Sequence, residues 1–170
     1  MKRMTIASLF LFVLASLTAG TAWAQNGHYI TLSSSVDTNT ACYDVNLKEA
    51  GLGNSGILSV TYALSADATF TTVCVNHGGN QVQGQPKSGT GSATQFTTLN
   101  VRNGSTSGTV QLCPEHFTLP DPGCTGGQKL EIISASYNNV VLNDQLPSDV
   151  TAGVKGLPQL GATGLSVIVP

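Results

Sequence analysis

Four cysteines and three histidines are the residues whose chemistry is most constrained by type: Cys42, Cys74, Cys113 and Cys124, with His28, His77 and His116. Two of the cysteines open Cys-x-x-His units, Cys74-Val-Asn-His77 and Cys113-Pro-Glu-His116. Thiolate and imidazole at that spacing reach one ion from a turn, so a tetrahedral Cys2His2 metal site is one reading. Against it, the segment between the two units is long, and Cys42 and Cys124 would be left to pair by themselves. The competing reading is a disulfide framework, because an even cysteine number in an exported chain favours cystines over free thiols. Sequential staples (Cys42 with Cys74, Cys113 with Cys124) and crossed ones (Cys42 with Cys113, Cys74 with Cys124) both satisfy the spacing. Disulfides are the expectation, with no metal and no cofactor.

Nucleophilic hydrolysis requires a Ser or Cys beside a general base that a third group orients. No Gly-x-Ser-x-Gly elbow occurs, and each histidine lies in or beside a polar segment. Glycosidase chemistry would need two carboxylates in one cleft. Asp37 with Asp44, or Glu115 with Asp121, are candidate pairs, yet acidic residues of a small acidic domain ordinarily form a solvated surface. Gly89-Thr90-Gly91 lacks the strand-to-helix setting of a phosphate loop. Sugar recognition by stacking asks for exposed aromatics beside amides. Tyr137 next to Asn138 and Asn139 is the candidate binding cluster, with Phe117 a second ring, while Tyr62, Phe70 and Phe96 read as core. Asn103-Gly104-Ser105 matches an N-glycosylation acceptor, which matters only in a eukaryotic secretory pathway.

Export is the premise behind the disulfide reading. Lys2 and Arg3 precede a largely apolar run from Thr5 to Thr18, and Ala22-Trp23-Ala24 supplies small residues at the cleavage positions. This is the pattern of a secretory signal peptide over residues 1–24, cut between Ala24 and Gln25. The apolar run is short for a spanning helix, and no integral membrane segment is expected after cleavage. The product would be secreted: extracellular, at the cell surface or periplasmic. Residues 25–170 have the length of one domain with a proper core. Their five basic residues, Lys48, Lys87, Arg102, Lys129 and Lys155, are scattered among nine acidic ones. Nucleic-acid binding requires clustered positive charge, so it is excluded as a reading.

The elements that must position these residues are strands. Period-two stretches recur between Gly, Asn, Asp and Pro punctuation: Tyr29 to Ser34, Cys42 to Lys48, Ile57 to Ser65, Thr69 to Val75, Thr94 to Val101, Thr109 to Cys113, Lys129 to Ser136, Asn138 to Asn143 and Gly164 to Val169. Ile57 to Ser65 alternates most clearly, with Leu58, Val60, Tyr62 and Leu64 on one side. Ala66-Asp67 reads as a hairpin connection, Asn103-Gly104 as a turn, and residues 76–92 as a long polar loop. A short turn or helix fits Ser148 to Val154. Short strands with such connections predict an all-β, two-sheet β-sandwich, an immunoglobulin-like Greek key before a jelly roll; an outer-membrane barrel ranks third, since only Ile57 to Leu64 approaches a spanning strand.

The apolar tail from Gln145 onward must be covered. Residues 164–169 either supply the last strand of their own sheet or complete a second copy of the chain. The function classes that remain are a non-catalytic extracellular or cell-surface protein of structural or adhesive type, then a polysaccharide- or surface-polymer-binding module, then a small secreted hydrolase. Partners would accordingly be an extracellular protein, a glycan, or the chain itself.

Overall fold

The computed structural model describes residues 27–53, 58–76, 78, 85–145 and 154–169. The expected signal segment, His77, and most of the Ser148–Val154 stretch lie outside them. Eight strands run β1 His28–Val36, β2 Tyr43–Ala50, β3 Ser59–Val75, β4 Lys87–Asn100, β5 Ser105–Leu112, β6 Lys129–Gln145, β7 Val154–Gly156 and β8 Leu160–Ile168, with one 3-10 turn at Pro114–His116.

Every strand pairing is antiparallel. One sheet has the order β1-β2-β5; the other runs β4-β3-β6, with β7 and β8 sharing the far edge of β6. The chain passes between the sheets at β2 to β3, β4 to β5 and β5 to β6. This is a two-sheet sandwich, as alternation with apolar inner rows demands. Tyr43, Val45, Leu47, Val110 and Leu112 of the smaller sheet meet Val60, Tyr62, Leu64, Phe70, Ile132, Tyr137 and Leu142 of the larger.

Two 17-residue strands, β3 and β6, form the spine of the larger sheet. Each was expected as two shorter segments. The hairpin expected at Ala66-Asp67 does not occur, because Ala66 and Ala68 keep the inward parity and fill the core while Asp67 points out. A register shift between Ser65 and Asp67 absorbs the irregularity as a bulge. On β6 the bulge is matched by Asn139 at φ +50°, a conformation Asn tolerates better than most residues.

Of the polar loop expected over 76–92, residues 87–92 belong to β4, while 77 and 79–84 lie outside the described residues. Gly89 and Gly91 stand in that strand rather than in a loop. The smaller sheet is one strand narrower, so the segment after β5 folds over β4 instead. A Cβ on Gly89 would come within 3.2 Å of Pro120, and one on Gly91 within 3.8 Å of Phe117. Glycine here admits a covering loop. Asn103 and Gly104 form the expected turn, both at positive φ (50° and 70°), as a two-residue hairpin connection requires.

The cystines are Cys42–Cys113 and Cys74–Cys124, the crossed pairing. The first joins neighbouring strand ends, beside the Tyr43–Leu112 pair. The second ties the end of β3 to the covering segment. All four thiols are therefore oxidised and the Cys2His2 metal reading falls. Residues 164–169 lie in the chain's own sheet: Ile168 pairs with Glu131, and the Val169 N–H donates to the Leu130 carbonyl at 2.9 Å.

Candidate functional site

The outer face of the larger sheet carries an array of hydroxyls. Thr61 on β3 meets Thr98 on β4, Ser65 meets Thr94, and Thr71 meets Ser88, each pair with oxygens 2.9 Å apart. These are cross-strand partners or near partners in the β3–β4 register, so the ladder follows from sequence parity. At the centre stands Asp67. Its Oδ1 accepts from the Ser92 hydroxyl at 2.5 Å and its Oδ2 from the Asn139 amide at 2.7 Å. Those hydrogen bonds, led by Ser92, hold its carboxyl below the usual carboxylate range. Asp67 therefore stays ionised and fixed in orientation.

Two shallow furrows flank it. One, of about 320 Å³, is lined by Ser65, Asp67, Ser92, Thr94 and Asn139; the other, of about 490 Å³, by Asp67, Thr69, Thr90, Ser92, Asn138 and Asn139. The candidate residues Asn138 and Asn139 thus sit at the outer face. Tyr137 and Phe117, expected as stacking rings, do not. Tyr137 is fully buried, opposite Ala68 on the inward parity, and its hydroxyl donates to the Ala41 carbonyl at 2.6 Å. Phe117 packs edge-on against Phe70 and Tyr137. Among the described residues the exposed phenyl ring is Phe96, read from sequence as core but 54% accessible. Its partner is Ala63, so its parity matches the hydroxyl row. Counting parity back from Leu99, which faces inward, would have placed it there.

A second constellation lies inside the opposite end of the sandwich from the Cys42–Cys113 bridge. Tyr29, Glu49 and Thr106 are consecutive cross-strand partners in the smaller sheet, and Tyr62 pairs with Asp144 in the larger. Glu49 and Asp144 are both buried. Glu49 accepts from the Tyr62 hydroxyl at 2.5 Å, and the Asp144 carboxyl is close enough to act on its protonation. Desolvation, opposed by the Tyr62 bond and reinforced by Asp144, pushes Glu49 up to about 7. Burial first, then the Glu49 carboxyl, raises the Tyr62 phenol, which remains neutral. Among the described residues, Glu49 Oε1, the Tyr29 hydroxyl and the Thr106 hydroxyl have no hydrogen-bond partner.

This acid pair was missed in the sequence, where Asp37 with Asp44 and Glu115 with Asp121 drew attention. Asp37 instead caps its own turn through Asn39 and Thr40, and Asp44 accepts from Gln111 on the surface. The available signal was parity: Tyr43, Val45, Leu47 and Glu49 share one face of β2, and Val140, Leu142 and Asp144 one face of β6.

A more apolar groove, of about 770 Å³, opens beside the Cys42–Cys113 bridge, where Ile132, Val167 and Val169 approach Pro114. The described histidines, His28 and His116, are exposed and occupy opposite ends of the sandwich. No group of three or more His, Cys, Asp or Glu side chains is placed to hold a metal ion among the described residues, and no helix among them is long and apolar enough to cross a membrane. No protein-family model matches the chain, and comparison with curated proteins and with solved structures gives no match.

Proposed function

We propose that the chain is an exported, non-catalytic structural or adhesive module, acting outside the cell, at its surface or in the periplasm, whose working surface is the outer face of the larger sheet. The observation that carries this reading is the continuous row of Thr and Ser hydroxyls around a fixed Asp67, with Phe96 standing out of it. The paired hydroxyls stabilise the sheet as well; the oriented Asp67 carboxylate and the exposed Phe96 ring among them add groups that a partner can contact. Two cystines and the N-terminal basic-apolar-small pattern support an oxidising destination. The strand order, with β2 beside β5 in one sheet and β3 beside β6 in the other, supports the immunoglobulin-like Greek key over the jelly roll.

The runner-up, polysaccharide or surface-polymer binding, is favoured by one arrangement. Phe96 offers an apolar ring face and Asp67, Ser92, Asn138 and Asn139 offer donors and acceptors along the same surface. Sugar rings present the complementary apolar faces and hydroxyl edges. A hydrolase has less support, since the described histidines do not share a cleft with a carboxylate pair.

The test is co-sedimentation of the purified chain with insoluble polysaccharides and with protein matrix particles. Retention on protein matrix supports the structural or adhesive reading; retention on polysaccharide that Phe96→Ala and Asn139→Ala both abolish selects the glycan reading. A chain that stays in the supernatant with every particle, or retention indifferent to both substitutions, removes the outer face as the working surface.

A further inference from the structure

The four sheet edges of this sandwich are treated unequally. β1, at one edge of the smaller sheet, carries a register shift between Tyr29 and Thr31. β5, at the other edge, has eight residues and packs against β4, with Gly108 so close to Leu99 that a Cβ would approach it to 2.9 Å. The far edge of β6 is covered by two short pieces, β7 and β8, separated by Leu157–Gln159 with Pro158 between; the β8 pairing slips between Ile132 and Ser134, and Gly164 sits at φ +70°. Bulges, short strands, proline and close cover are the devices that stop an edge from recruiting another strand.

β4 has no bulge and no proline, and the segment and strand that pack on it meet its inward-facing residues Gly89, Gly91 and Leu99, not its edge. Its 14 residues pair with β3 without a register shift, contain no proline, and bear no charge from Ser88 to Asn100. Among the described residues no strand lies on its other side. The phase of its hydrogen bonding is fixed by the Val101 N–H, which donates to the Leu58 carbonyl at 2.8 Å. Residues directly opposite in an antiparallel pair alternate between exchanging both bonds and exchanging none. Odd-numbered residues of β4 therefore bond to β3. Even-numbered ones, Ser88, Thr90, Ser92, Thr94, Phe96 and Thr98, turn their backbone N–H and C=O outward. An extended run of outward donors and acceptors is a template for another extended backbone.

We propose that β4 is a self-association edge: two copies of the chain pair β4 with β4, antiparallel, about a two-fold axis near Thr94, joining their larger sheets into one continuous sheet. The occupant is argued from charge and symmetry. The only ion on the strand is Lys87, at its first residue. A two-fold near the middle carries the two ammonium groups to opposite ends, roughly 48 Å apart at about 3.4 Å per residue, so no like charges meet. The same axis aligns the hydroxyl rows of both copies on one face. Such a contact is isologous and closes at two copies.

The test measures solution mass of the full chain against concentration, together with amide hydrogen exchange. The native chain should reach twice the monomer mass. The amides of Thr90, Ser92, Thr94 and Phe96 should become protected as it does so, while neighbouring odd-numbered amides are protected throughout. Thr94→Pro removes an outward N–H without touching the β3 ladder, and Thr94→Lys sets two charges face to face at the axis; both should remain monomeric with unchanged far-UV circular dichroism. A native chain that is monomeric at its highest soluble concentration overturns the proposal. So does a dimer whose even-numbered β4 amides exchange freely, or one that survives both substitutions. The exchange pattern is read on the native chain, so it decides even if a variant misfolds.

Discussion

The two ends of the sandwich are closed by opposite means. At one end the strands are joined covalently by Cys42–Cys113, Cys74–Cys124 fastens the covering segment nearby, and Tyr43, Phe70, Phe117 and Tyr137 pack edge to face behind them. At the other end the inner layer is polar: Tyr29, Glu49 and Thr106 face Tyr62 and Asp144. The first closure depends on redox state and hardly on pH; the second depends on a proton. A small domain in an oxidising space can rely on the first, whereas the second makes part of its stability a function of its surroundings.

Reduction should break the comparison most severely. The cystines close loops of 71 and 50 residues in sequence separation, and the chain-entropy estimate is roughly 4 kcal/mol for each. With total stabilities of about 5–15 kcal/mol typical, the doubly reduced chain should lose most of its folded population, read by urea denaturation with and without reductant. Near-native stability after full reduction would show that the aromatic cluster alone holds that end.

The polar end should respond to pH. The Glu49 carboxyl stands at about 7 in the folded chain against an ordinary 4.5. Between those values the folded state keeps a proton that the unfolded state has released. Its contribution is therefore complete below about 4.5 and is lost as pH rises through 7. Thermal unfolding from pH 4 to 9 should show this decline, and Glu49→Gln should flatten it. An identical decline in the variant would place the titrating group elsewhere.

Tyr137→Phe sharpens the comparison at the covalent end. The ring stays in the core but the bond to the Ala41 carbonyl goes, for a loss of about 1–2 kcal/mol in unfolding free energy read by urea denaturation. Phe96→Ala should have the smallest effect on stability, within about 0.5 kcal/mol, because the ring packs on the outside. A large loss there would mean that Phe96 is held by contacts and is not a free surface.

Much of this was legible in the alternation itself. Val60, Tyr62 and Leu64 face the core as the pattern of β3 requires, although Leu58 falls outside the strand and is 79% exposed. Asn103-Gly104 announced its turn because few other residue pairs accept two positive φ angles. Errors arose where local punctuation was read as a chain reversal. Ala66-Asp67 resembles a turn, yet alanines are what a crowded inner face can accept opposite β6. Gly89 and Gly91 resemble a loop, yet they make room for Pro120 and Phe117. The candidate site was half legible: Asn138 and Asn139 lie at the outer face, while the ring beside them points the other way and Phe96, from another strand, takes the exposed position.

Residue order alone determined the period-two strands, the presence of four cysteines available for two bridges, and the scarcity of charge that leaves Ser, Thr and Asn to make the surface. These are properties of neighbours along the chain. Which thiols meet, which carboxylates share a buried layer, and which edge is left open are decided by residues 50 to 100 positions apart. Only the register of strands and the stacking of the two sheets bring those residues together, because a one-residue slip in either would turn every side chain to the opposite face.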